Sequence, residues 1–348
     1  SGEGKPRFYK PENFDFSYAY NELLHRDYEI EKQEEFNLLL GTNYGYSFSS
    51  KPIEPFKKVD FFNRKKYWQW LQELNFNLLP SSLQASANVN RILNNQKFRQ
   101  VYLEGVDASL QRSLPNLQQR NFLFDYNYAL SHNLTRSLRF NFNATTSSII
   151  RQNNLTGSNL SNPFQPEKNA LWQGIFDTGE PNNHLQTLTL NYKLPFQYIP
   201  ILNFVDATYN YTGNFNWQRG SEALSKVVSE DGIPLGIVNT IQNNNVKNLT
   251  AAFSFSKLYS AFGLKSKSNS FNSRTQAAQK VNDTLANKNQ LLKKGLTSIV
   301  DVLTLIKRVQ MSYSENNGSV LPGYLPSVGF AGGLMPSLGY TLGSQADI

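Results

Sequence analysis

From Val205 to Gln218 the chain alternates without a break between two kinds of residue. Val205, Ala207, Tyr209, Tyr211, Gly213, Phe215 and Trp217 take one parity; Asp206, Thr208, Asn210, Thr212, Asn214, Asn216 and Gln218 take the other. Successive side chains of an extended strand point to opposite faces. The stretch therefore reads as a strand with one apolar, aromatic face and one wholly polar face.

The same pattern recurs along the chain. Phe14, Phe16, Tyr18 and Tyr20 alternate with Asp15, Ser17 and Ala19, and Phe36, Leu38, Leu40, Thr42, Tyr44, Tyr46 and Phe48 share a parity. Leu74, Phe76 and Leu78 alternate with Asn75 and Asn77, and Leu83, Ala85, Ala87 and Val89 with Gln84, Ser86, Asn88 and Asn90. Further runs start at Phe122, Leu138, Leu188, Leu249 and Val309. This periodicity predicts about ten strands of roughly 9–14 residues. Soluble strands average only about 5–6. A strand of about ten residues tilted near 45° rises roughly 23 Å, the height of the apolar band of an outer-membrane barrel. The expected fold class is all-β: an antiparallel transmembrane β-barrel wall.

Connections read as short around Leu79–Ser82, Ser131–Thr135 and Leu194–Pro200, and as long near 93–120, 149–183 and 219–245. The long ones carry turn-forming text such as Gly179-Glu180-Pro181-Asn182-Asn183 and Gln242-Asn243-Asn244-Asn245. Short turns on one side and long loops on the other is the membrane-barrel pattern, with the short turns in the periplasm. From Arg274 to about Leu303, Ala278, Val281, Leu285, Leu292, Leu296, Ile299 and Leu303 recur at helical steps. Strand parity puts this helical insert on the periplasmic side. It reads either as a helix packed on the barrel mouth or as a docking element. The organisation is then strands and long loops over 1–257, the insert over 258–303, and a continuing strand and loop over 304–348.

Composition excludes several functions. Charged residues make up 17% and aromatics 13%, yet mean hydropathy is −0.47. The polarity therefore comes from uncharged Asn, Gln, Ser and Thr. No window approaches 18 consecutive apolar residues, so no transmembrane helix is expected. With no cysteine, disulfides, thiolate metal sites and thiol nucleophiles are out. His25, His132 and His184 lie far apart, so no His-based metal site is expected, nor a Ser-His-Asp arrangement. The net charge of +8 gathers in loops such as Lys57-Lys58, Arg64-Lys65-Lys66 and Lys293-Lys294. No nucleic-acid motif accompanies it; these loops are solvated or touch anionic lipid. Tyr67-Trp68-Gln69-Trp70 reads as a membrane-interface cluster, or as a loop helix inside the barrel. Gly329–Leu334 lacks phosphate-loop spacing. The chain begins at Ser1 and reads as a piece of a longer or processed polypeptide.

Four stretches carry a family resemblance: Phe76–Ser82, Ala129–Phe140, Leu194–Phe204 and Tyr313–Pro326. With the strand pattern from about residue 10 to 345, they resemble the SprA/Sov family, the outer-membrane translocon of the Bacteroidetes type IX secretion system. The resemblance implies a single barrel of about 36 strands that exports folded proteins through a lateral opening. It also implies a PorV-type barrel, a plug protein and other periplasmic or surface subunits as partners. Cargo proteins and outer-membrane lipid are further contacts. It implies no cofactor and no catalytic residue.

On this reading Phe122, Phe124, Tyr126, Tyr128, Phe140, Phe142, Tyr209, Tyr211, Phe215 and Trp217 face lipid. Asp125, Asn127, Arg139, Asn141, Asn143, Asp206, Thr208, Asn210, Thr212 and Asn214 line the lumen. Such a lining is nearly neutral, which suits passage of proteins of varied charge, but any water-filled barrel also has a polar interior. The alternatives are the barrel part of a TonB-dependent nutrient receptor and an outer-membrane hydrolase.

Overall fold

The computed structural model describes residues 7–49, 51–55, 57, 75–99, 116–151, 168–199, 202–228, 236–262, 306–329 and 336–345. Nine strands form one antiparallel sheet in which every strand pairs with its sequence neighbours. They are β1 (Phe14–His25), β2 (Ile30–Ser47), β3 (Ser82–Phe98), β4 (Leu117–Asn133) and β5 (Leu138–Ile149). β6 (Glu180–Lys193), β7 (Val205–Gln218), β8 (Asn239–Phe253) and β9 (Val309–Tyr324) complete it. The sheet is not closed: β1 and β9 are its two edges. This is the up-and-down order of a barrel wall.

The register keeps like with like. One row across β5, β6 and β7 runs Asn143–Thr187–Asn214, the next Asn141–Thr189–Thr212, and the next Arg139–Asn191–Asn210. A one-residue slip would exchange the two faces along a whole strand, so the alternation itself enforces the pairing. Aromatic contacts reinforce it on the other face. Phe14 and Tyr44 pair directly with ring centroids 4.8 Å apart, and Tyr128 lies 5.9 Å from Phe142. The three register shifts, at Ile30/Lys32, Ser147/Ser148 and Asn239/Thr240, all sit at the same end of the sheet.

The strands run 12 to 18 residues, longer than the periodicity indicates. Several stretches expected as loops are strand: 93–98 belongs to β3, 117–120 to β4, and the Gln242–Asn245 run to β8. Those stretches break the apolar alternation because Asn95, Lys97, Gln118, Arg120, Asn243 and Asn245 stand at apolar-phase positions. The expected strand at 74–78 does not join the sheet. Phe76 makes only an isolated bridge with Ile53, so the strands number nine among the described residues.

The connections also differ from expectation. Leu79–Ser82 is not a turn between strands but the tail of the connection 48–81. At that end of the sheet lie connections 48–81, 134–137, 194–204 and 254–308; at the other lie 26–29, 99–116, 150–179 and 219–238. Short and long connections therefore occur at both ends. Thr135 Oγ1 accepts the Ser137 and Leu138 N–H groups to close the tight 134–137 turn. Asp27 Oδ1 does the same for Glu29 and Ile30 in 26–29. The Ile30 N–H first, and then His25, hold the Asp27 carboxyl below its ordinary range. A short helix, Phe255–Ala261, opens connection 254–308. The expected helix at 274–303, the Tyr67–Trp70 cluster and most of the basic loop text lie outside the described residues.

Candidate functional site: the two faces of the sheet

By register, one face of the sheet carries mostly Asn, Thr, Ser and Gln side chains, while a smaller set of polar residues, Thr146, Ser148, Gln186, Asn243 and Asn245 among them, stands on the aromatic face. Asp125 and Asn127 on β4, Arg139, Asn141 and Asn143 on β5, and the even-numbered positions Asp206 to Asn214 on β7 are all on the polar face. Asn127, Arg139, Asn143 and Asp206 are exposed, and the others are partly so. Hydrogen bonds within this face include a neutral one, between Thr187 Oγ1 and Asn214 Oδ1 at 2.9 Å, and a charged one, from Arg139 Nε to Asn133 Oδ1 at 3.0 Å. The few charges on β6 and β7 offset one another: Lys193 lies 3.5 Å from Asp206.

The aromatic face divides into two zones. Near connections 134–137 and 194–204 it is bare or only edged by the chain. Phe16, Tyr18, Met311 and Tyr313 are well exposed, and Phe140, Phe142, Tyr128 and Tyr209 partly so. At the opposite end it is covered by the chain's own segments 168–179 and 336–345, each of which holds one short helical turn, Lys168–Leu171 and Leu338–Thr341, in otherwise irregular chain. Phe122, Tyr126, Phe215 and Trp217, expected to face lipid, are buried there. Phe122 packs in a cluster with Phe36, Leu38, Leu93, Ile150 and Leu171. Phe215 and Trp217 pack with Ile241, Val328 and Tyr340. Parity groups these rings with the other aromatics on one face, but what they meet is protein.

The cover is held by polar side chains that stand in apolar register. Arg91, fully buried on β3, donates to the carbonyls of Leu171 at 2.7 Å, Gln173 at 2.6 Å and Gly174 at 2.5 Å. Its guanidinium also lies 5.0 Å from the Phe122 ring centroid. Gln186 donates to Thr341 O at 2.6 Å, and Tyr211 to Leu342 O at 2.7 Å. Asn243 reaches both Tyr340 O and Ser344 O, and Asn245 reaches Gly343 O. Trp217 Nε1 and Asn239 Nδ2 both donate to Pro326 O. A segment without its own ladder must have its backbone carbonyls satisfied from outside, and these side chains do that. Gly213 and Gly343 meet at the crossing point. A Cβ on Gly213 would overlap the Leu342 carbonyl, and Gly343 has φ +95. His184 is buried between Thr146, 2.7 Å from its Nδ1, and Gln186, 3.2 Å from its Nε2.

Among the described residues, the polar face carries an open cleft. Residues 51–55 and 75–81 fold back against the 134–137 turn. The Arg136 N–H donates to Asn75 Oδ1 at 2.8 Å, and Asn77 Nδ2 to Asn133 O at 2.5 Å. Glu54 bridges Lys57 and Arg136, and these two cations, Lys57 foremost, keep its carboxyl below the ordinary range. The cleft beneath holds about 760 Å³.

Arg91, Gln186, Asn239, Asn243 and Asn245 were missed as partners of the cover. Their sequence signal is an amide or cation where alternation calls for an apolar residue. Among the described residues no group of His, Asp and Glu is placed to hold a metal, and no helix is long and apolar enough to cross a membrane. The chain matches no family model, and no curated protein matches it.

Proposed function

We propose that this chain forms part of the wall of an outer-membrane protein-conducting channel, the translocon of the type IX secretion system. The observation that carries the reading is the separation of the two faces. Nine long antiparallel strands present a continuous neutral hydrophilic surface on one side and an aromatic band on the other. Hydrocarbon cannot satisfy a surface of Asn, Thr, Ser and Gln side chains, so that surface is the wet one. The bare aromatic zone then meets lipid. The strands exceed the roughly 9–11 residues needed to span, and the surplus carries the covered zone. Irregular backbone is not tolerated against lipid, so residues 168–179 and 336–345 stand clear of the hydrocarbon.

The role of the chain is passive and non-enzymatic. Its strands separate lipid from water, its polar face hydrates passing protein, and its loops meet the partner barrel, plug and other subunits. A photoreactive residue at Asn210 in the native chain is expected to capture secreted polypeptides, and one at Tyr209 to capture lipid. The reverse outcome sinks the reading. Co-purification of a lone barrel of about 22 strands with its own plug would mark a TonB-dependent nutrient receptor instead.

A further inference from the structure

The cleft on the polar face is lined by four amide side chains, Asn75, Asn77, Asn133 and Asn191. Arg136, Arg139 and Lys193 also line it, and no Asp or Glu does. Two of these cations are matched just outside: Arg136 by Glu54 at 2.6 Å, and Lys193 by Asp206 at 3.5 Å. Arg139 gives its Nε–H to Asn133 Oδ1 at 3.0 Å, and among the described residues no carboxylate pairs with it. It sits on β5 directly across from Asn191, with Lys193 two positions further along β6. The site thus has one unmatched guanidinium, a weakly held ammonium beside it, and walls of neutral amides.

We propose that this cleft binds an extended polypeptide segment bearing a carboxylate side chain, with the carboxylate on Arg139. A guanidinium presents two parallel N–H groups that fit a carboxylate's two oxygens, and such pairs outweigh neutral hydrogen bonds. The walls select peptide over a small anion. An Asn side chain offers a donor and an acceptor, as a peptide group does. About 760 Å³ lies in the range of pockets that enclose molecules far larger than a lone anion. The same sheet uses this chemistry on its other face, where Asn243 and Asn245 grip the end of the Leu338–Thr341 helical turn and the chain that follows it, at 340–344. Asn75 is nearly fully buried and fixed by the Arg136 N–H, so this wall is formed before any ligand arrives.

The inference goes beyond the channel reading, because binding to the purified protein does not require conduction. The test uses the native chain in detergent and a fluorescent, acetylated hexapeptide amide with a single Asp among Ser, Ala and Gly. Its twin carries Asn in place of Asp. The Asp peptide is expected to bind at least tenfold more tightly than its twin. Arg139→Gln should erase that difference and Arg139→Lys should retain part of it, with the strand circular dichroism of both variants unchanged. Equal binding of the two peptides, or an unaltered preference in Arg139→Gln, overturns the proposal. Competition by acetate at the peptide's own concentration also overturns it, by reducing the cleft to a small-anion site. Failure here leaves the assignment of wet and lipid faces intact, since that is read from capture at Asn210 and Tyr209.

Discussion

At the scale of single residues, the informative positions are those where alternation is kept but the residue type is unexpected. Gly213 is in apolar phase on β7, between Tyr211 and Phe215. A strand interior gains nothing from glycine by itself. The close passage of the Leu342 carbonyl supplies the reason. Gly213→Val should expel residues 337–345 from the sheet. The expected cost is about 1–3 kcal/mol in chemical denaturation, with a red shift in Trp217 emission as its cover leaves. Gly45 is the control: a Cβ there meets nothing within 4 Å, and Gly45→Ala should fall within about 0.5 kcal/mol of the parent. A Trp217 signal that stays put in Gly213→Val would show that the crossing tolerates a side chain.

At the scale of elements, two irregular segments are attached to a regular sheet through side-chain donors. Residues 168–179 depend on Arg91, and residues 336–345 on Gln186, Tyr211, Asn243 and Asn245. Each unmet buried carbonyl costs about 1–3 kcal/mol. Arg91→Met keeps the apolar stem over Phe122 but removes every donor. It should destabilise by at least about 2 kcal/mol and open 168–179 to limited proteolysis. Arg91→Lys should not restore protection, because an ammonium lacks the fork that reaches three carbonyls at once. Full protection in Arg91→Met would mean that Leu171 and Ile175 hold the segment by apolar packing alone.

At the scale of the whole molecule, strand parity puts Asn183 and Ser81 at opposite ends of the sheet. With the channel reading, a cysteine at Asn183 should react with a membrane-impermeant maleimide on intact cells, and one at Ser81 should not. The opposite result reverses the wall in the membrane while leaving its faces as they are. Parity fixes that the two positions differ in side, and the expected direction belongs to the channel reading alone, because connection length gives no sign: 26–29 is short at the end where 99–116 and 150–179 are long. A turn's length depends on local closure chemistry, such as Asp27 or Thr135, whereas strand direction must reverse at every antiparallel step.

Much was legible in the residues alone. A period of two can be satisfied only by extended chain with unlike faces, so Val205–Gln218 specified β7 and its partition. The all-β class and the polar parity from Asp125 to Asn214 follow from the same local rule. Length and composition could not say what covers the aromatic face. The rings of Phe122, Phe215 and Trp217 are equally apolar against lipid or against protein. Only the tertiary fold decided between these, by bringing residues 168–179 and 336–345 back across the sheet to Arg91, Gln186 and Asn243. Those contacts join positions about 80 to 155 residues apart. No periodicity reports on that range, because a periodic signal records what one strand needs and not which distant segment will supply it.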